Sequence, residues 1–298
     1  MSTPVSFLRP EHVAPIKNLT LRTRCIVEGT IAGLHKSPYH GFSAQFLEYR
    51  RYQPGEAARR IDWRKYAKTD RAVVRLFEDE TNLFAHVILD KSGSMRFSSG
   101  GAMSKYDYAK TLAASLAWIL IRQRDAVGMY AFDTGESLFV PPRSTNIQLK
   151  TILSRLERLE PGGETRCGLA IERLARTLTK RGLCIVISDL FDDPADIIRG
   201  LWHLRFKRQD VMVLWILDPL EAEFLRTGSL DVRDLETGRR VVLDGLTAAE
   251  HFTAGMSGHR RAIEEACRSL RIGCERIVTD EPFVKALLRI LQKRRRLF

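Results

Sequence analysis

The sequence predicts an α/β fold: a doubly wound, mainly parallel sheet preceded by an N-terminal β-rich subdomain. Three observations carry that expectation. Apolar runs of strand length at 84–89, 183–188 and 211–217 read as buried strands. Helix-length stretches such as 106–122 stand between them, and alternation of this kind requires right-handed crossovers. All three runs end at an aspartate, Asp90, Asp189 and Asp218, which places acidic residues at the carboxyl edge of the sheet, where open α/β sheets bind ligands.

Taken in order, residues 1–81 form the N-terminal β-rich subdomain and 82–298 the α/β domain. Residues 21–35 are expected to begin as helix and end as strand. The stretch 39–46 mixes glycine with aromatics, Tyr52-Gln53-Pro54-Gly55 is a turn signal, and 72–77 alternates as a strand does. After the first core strand and the helix at 106–122, residues 126–132 and 137–140 read as two strands around Asp133-Thr134-Gly135, with Pro141-Pro142 ending the edge. An amphipathic helix follows at 147–159, then the Pro161-Gly162-Gly163-Glu164-Thr165 loop and a helix over 166–179. Asp192 and Asp193 precede a helix that starts at Pro194, where they suit its N-terminal dipole. Turn signals at Thr227-Gly228 and Thr237-Gly238 mark a β excursion near 220–244. A helix at 246–270, weakened by Gly255 and Gly258, a strand at 275–278 and a helix at 282–297 close the chain. The final Lys293-Arg294-Arg295-Arg296 run is expected to be a solvated helix end.

Length and composition narrow the function classes. A chain of 298 residues with 44% hydrophobic and 28% charged residues is sized for one sizeable core plus a smaller unit. No signal peptide or transmembrane segment is legible, so a cytoplasmic location is expected. Five cysteines form no C-x-x-C pair or metal-ligand spacing, which leaves them as reduced structural thiols, Cys184 being a core residue. Lys and Arg outnumber Asp and Glu by 48 to 36, a net +12 that favours acidic partners.

The stretch FAHVILDKSGSM carries the chemistry. Asp90, Ser92 and Ser94 at alternate positions would present oxygen-only donors from one tight loop, suited to a hard cation such as Mg²⁺. Thr165 and Asp189 offer further oxygen donors. Thr165 reads equally well as a helix N-cap, and a lone D-x-S-x-S is ordinary loop chemistry. Other chemistries fit less well. An EF-hand loop needs glutamate at its twelfth position, where Gly101 stands, and neither a P-loop nor a G-x-S-x-G elbow is present. An aspartyl-phosphate enzyme built on Asp90 would place a second acid at Ser92. No general base or nucleophile is evident, so the chain is not expected to be an enzyme.

D-x-S-x-S, a loop threonine and a strand-terminal aspartate together resemble the metal-ion-dependent adhesion site of von Willebrand factor A domains. The upstream run SAQFLEYRRYQPGEAARRIDWRKYAKT is similar to the signature of the bacterial domain-of-unknown-function family numbered fifty-eight. Phe46, Glu48, Arg50, Tyr52, Pro54, Gly55, Arg60, Ile61, Asp62 and Trp63 match that signature, with Glu56 where aspartate is usual. Glu48, Arg50, Tyr52, Arg60, Asp62 and Trp63 are its structural signature residues. The resemblance extends from Gly41 to about Asp244 and implies a von Willebrand A-like sheet with an antiparallel edge strand. It also implies a metal site of Asp90, Ser92, Ser94, Thr165 and Asp189 holding Mg²⁺, with Mn²⁺ or Ca²⁺ as alternatives. The usual Gly-Gly-Thr of that family is interrupted here by Glu164, which would itself approach such a site if the loop bulges. Gly163, Glu164 and Asp192 are the residues expected to meet a partner.

A metal held largely by neutral oxygens keeps residual charge and accepts a carboxylate from a partner. The function expected is therefore a metal-dependent adaptor. The family resemblance implies a MoxR-type AAA+ ATPase as one partner, with a client or second von Willebrand A protein supplying the carboxylate. The alternative is a nucleic-acid-binding module on the basic, aromatic stretch 50–75. Its interspersed Glu56, Asp62 and Asp70 favour internal ion pairs over a phosphate track. A metal-dependent phosphohydrolase is a third reading.

Overall fold

The computed structural model describes all residues except 1–7, 37–45, 53–62, 78–82, 134–137, 165, 224–228, 234–239 and 298. The chain begins with α1 (Pro10–Val13), α2 (Leu19–Lys36), β1 (Phe46–Arg51), α3 (Trp63–Thr69) and β2 (Val73–Phe77). Next come β3 (Phe84–Asp90), α4 (Lys105–Arg122), β4 (Ala126–Phe132), β5 (Leu138–Arg143), α5 (Asn146–Arg158), α6 (Cys167–Thr177) and β6 (Gly182–Ser188). The remainder is α7 (Pro194–Phe206), β7 (Asp210–Leu217), α8 (Pro219–Ala222), β8 (Ser229–Arg233), β9 (Arg240–Asp244), α9 (Gly245–Ser269), β10 (Gly273–Val278) and α10 (Phe283–Leu297).

Six strands form one sheet in the order β10-β7-β6-β3-β4-β5. Every pairing is parallel except β4 with β5, so the doubly wound, mainly parallel layout with an antiparallel edge is the one the sequence predicts. The pleat sends alternate residues to two cores. Ala85, Val87 and Leu89 of β3 join Leu112 and Leu116 of α4 and Leu287 of α10 on one face. Ile88 of β3 joins Ile171 of α6, Leu201 of α7 and Ile263 of α9 on the other. Burial on both faces explains the near-continuous apolar runs of β3, β6 and β7.

This winding positions the site. The chain leaves β3 for α4 on the first face and leaves the adjacent β6 for α7 on the second. Crossovers departing to opposite faces open a crevice at the carboxyl ends of these two strands, the topological switch point of the sheet. Capping fixes the helix starts around it. The Ser104 hydroxyl accepts from Asp107 N at the start of α4, and Asp193 Oδ1 accepts from Ala195 N at 2.7 Å ahead of Pro194 in α7.

Several expectations are corrected. The described part of 1–81 is mainly helical, not β-rich; its strands there are the antiparallel pair β1 and β2. Residues 21–35 are helical throughout, because Ile26 and Val27 of α2 pack into the core shared with α4 and α10. Helix α2 thus shares its core with α4 and α10 across the division at 81/82. The edge strand β5 runs through Pro141 and Pro142 to Arg143, with an irregular register between Val127↔Arg143 and Met129↔Val140. Proline is tolerated there because an edge strand does not need every N–H in the ladder. The basic run in α10 is not simply solvated: Lys293 Nζ donates to Cys274 O at 2.6 Å, and Arg294 Nη2 to Asp125 Oδ2 at 2.7 Å. β8 and β9 pair antiparallel, from Ser229↔Asp244 to Arg233↔Arg240. The turn at 53–55 lies outside the described residues.

Candidate metal centre

Asp90 is the last residue of β3 and is fully buried. Its Oδ1 accepts from Ser92 N at 2.9 Å, and its Oδ2 accepts from Ser188 Oγ at 2.6 Å. Ser188 stands beside it because β3 and β6 run in register up to Leu89↔Ile187. Ser188 Oγ also accepts from Leu190 N at 2.9 Å, which helps hold Leu190 at φ 55, a conformation a leucine rarely adopts.

The chain then folds into a short 3-10 turn at Gly93–Arg96, which brings Ser92 Oγ and Ser94 Oγ to 3.0 Å. Ser92 is buried and Ser94 half-buried. Backbone bonds join this loop to the Pro161-Gly162-Gly163 loop: Gly93 N donates to Gly163 O at 2.8 Å, and Gly162 N to Lys91 O at 2.7 Å. Arg96 also donates through Nε to Pro161 O at 2.8 Å. Gly163 has φ 77, a left-handed conformation that glycine adopts without a Cβ penalty. Glu164 is exposed and lines a cavity of about 280 Å³ with Arg166 and Arg173. Thr165 lies outside the described residues; the N-cap of α6 is Arg166, which makes no side-chain capping bond.

Asp189 is also buried, and its Oδ2 accepts from Lys105 Nζ at 2.7 Å. The same ammonium donates to Glu221 Oε1 at 2.7 Å and lies 4.8 Å from the centre of the Phe191 ring. Burial works to lower the Lys105 pKa, but the charges of Asp189 and Glu221 hold it above the ordinary lysine value. Asp90 has no such partner: among the described residues no cationic side chain bonds it. Burial and then the Asp189 charge push its carboxyl up to about 7, against the bonds from Ser188 and Ser92 that favour the charged form. Hydroxyl and carboxylate oxygens of Asp90, Ser92 and Ser94 fit a hard divalent cation, which would supply the countercharge that Asp90 lacks.

The remaining expected residues are dispersed. Asp192 Oδ2 accepts from Gly168 N at 3.3 Å, tying its loop to α6. Glu48 and Arg50 lie in β1 opposite Leu76 and Val74. Tyr52 is half-buried, and its N–H donates to Ala72 O at 3.0 Å. Trp63 opens α3, 57% exposed, edge-on to Tyr66. Arg60 and Asp62 lie outside the described residues.

Residues 48–262, more than half of the sequence, match the family described as "Protein of unknown function DUF58". The chain belongs to the DUF58 family. It is 26% identical over 303 residues to the uncharacterised protein Rv1480 of Mycobacterium tuberculosis, spanning 98% of this chain and 94% of that one. Among solved structures it is similar to BatB from Bacteroides thetaiotaomicron, at 20% identity and a TM-score of 0.48 over 71% of this chain and 98% of that one. It is also similar to the VWA domain of SpRpn10, at 13% identity and a TM-score of 0.40 over 69% of this chain and 93% of that one.

In this DUF58 chain the sequence reasoning passed over Ser188, Lys105 and Glu221. Ser188 carried a signal, a hydroxyl ending an otherwise apolar strand next to the strand that ends in Asp90. Lys105 and Glu221 carried none, since their meeting depends on α4 and α8 converging on the end of β6.

Proposed function

We propose that this DUF58 protein is a metal-dependent protein–protein interaction adaptor. The observation that carries the reading is Asp90: a buried carboxylate with no cationic partner among the described residues, beside two serine hydroxyls 3.0 Å apart at the carboxyl edge of the sheet. Bound there, Mg²⁺ would supply Lewis-acid charge for a partner's carboxylate. Asp90, Ser92 and Ser94 would hold it, with Thr165 as a further donor and Asp189 acting through a coordinated water. The Gly162-Gly163 backbone braces the serine loop through its two main-chain bonds. Family resemblance supports a MoxR-type AAA+ ATPase as partner and a client or second von Willebrand A protein as the carboxylate donor.

Electron paramagnetic resonance of added Mn²⁺ tests the reading. Wild type is expected to bind one ion, Asp90→Asn none and Thr165→Ala with reduced affinity. Unchanged binding by Asp90→Asn overturns the assignment of the site.

A further inference from the structure

Lys105 is the first residue of α4 and is 1% exposed. Its ammonium is boxed by two carboxylates at 2.7 Å, those of Asp189 and Glu221, and by the rings of Phe191 and Phe97. Asp189 has its other oxygen engaged as well, since Oδ1 accepts from Phe191 N at 3.2 Å. Glu221 is itself fixed: its Oε2 accepts from Asp218 N at 2.9 Å within the capping box of α8. Asp218 in turn caps Leu220 N and accepts from Ser99 N at 3.0 Å. The ammonium is therefore anchored from the far side by a part of the chain outside the serine loop.

A buried lysine of this kind is expensive unless paired, and here it is paired with one of the two strand-end acids and not with the other. The two acids thus stand in different electrostatic states. Asp189 is neutralised within the protein, and Asp90 is left to an external cation.

We propose that Lys105 is a positioning residue of the metal centre: its bond to Asp189 keeps that carboxylate out of direct coordination, so a position on the ion stays open for a partner's carboxylate. This rests on the metal reading above and specifies how the site remains receptive. A second carboxylate bound directly would lower the residual charge on the ion and occupy a position the partner needs. Removing the ammonium releases Asp189 toward the ion. Removing Glu221 leaves the ammonium to Asp189 alone with less compensation, and so disfavours the cation.

The test measures Mn²⁺ affinity and the water-proton relaxivity of the bound ion, with acetate as the carboxylate probe, for wild type, Lys105→Met and Glu221→Gln. A unit charge a few ångströms from a divalent ion is worth more than a factor of about ten at effective dielectrics near 20. Lys105→Met is therefore expected to bind Mn²⁺ at least roughly tenfold more tightly. Its relaxivity should be lower, as Asp189 displaces a water, and it should not respond to acetate. Glu221→Gln is expected to bind Mn²⁺ more weakly while keeping the acetate response. A merely structural Lys105 would weaken binding in both variants. If wild type binds Mn²⁺ and Lys105→Met binds it equally or less tightly with unchanged relaxivity, the positioning role is overturned and the metal reading stands. If wild type binds no Mn²⁺, both are overturned. Should Lys105→Met not fold by circular dichroism, Glu221→Gln decides, and equal or tighter binding by it overturns the proposal.

Discussion

His86 sits within β3 with 6% of its surface exposed, and its Nδ1 has no hydrogen-bond partner among the described residues. Burial depresses its pKa to about 4, so the folded chain keeps the ring neutral. The unfolded chain takes up that proton below about pH 6.5. Stability from this group is therefore fully present above pH 6.5 and is lost as pH falls toward 4. Between pH 7.5 and 4.5, wild type should lose about 2–3 kcal/mol more than His86→Leu in urea unfolding; equal losses would contradict the assignment. Such a residue shows how far single positions are legible. Asp90, Ser92 and Ser94 could be read as a set because they lie within five residues of one another. The bond of Asp90 to Ser188 and that of Asp189 to Lys105 span 98 and 84 residues, and no local spacing announces them.

Between elements, α6 and α7 approach closely. A Cβ on Gly168 would lie 2.3 Å from Asp196 O, and one on Gly200 would lie 2.6 Å from Gly168 O, in each case backbone that cannot swing aside. Gly200→Ala should therefore destabilise the fold by about 1–3 kcal/mol, as overpacking does, measured as a lower urea midpoint with unchanged slope; an unchanged midpoint would contradict the packing argument. The docking of α10 rests partly on charge. Arg294 donates to Gln123 Oε1 at 2.8 Å and Asp125 Oδ2 at 2.7 Å, and Asp125 is 4% exposed. Arg294→Ala should cost roughly 3 kcal/mol because it leaves a buried carboxylate unpaired, and Asp125→Asn in the same background should recover part of that loss. Strands β3, β6 and β7 were legible because burial on both faces writes itself as an unbroken apolar run. The helicity of the second half of α2 was not, because its glycines and β-branched residues weaken the local signal and the packing of α2 against α4 and α10 decides the outcome.

The molecule centres on a six-stranded sheet with helices on both faces, beside the two-stranded pairs β1–β2 and β8–β9, and its carboxyl edge gathers the ends of β3 and β6. No helix among the described residues is long and apolar enough to cross a membrane. The net charge of +12 favours acidic partners, and under the proposed function a carboxylate docking on a metal would be one of them. If the centre loads as proposed, Mg²⁺ bound to the native state alone raises the melting temperature in a concentration-dependent way. That rise should be absent in Asp90→Asn, and an equal rise in both proteins would place the ion elsewhere.

The most direct measurement is anomalous diffraction at the manganese edge from crystals soaked in Mn²⁺. The account predicts one peak within coordination distance of Ser92 Oγ and Ser94 Oγ, beside Asp90, with Asp189 still bonded to Lys105. A peak at another place, or none at saturating Mn²⁺, would contradict it.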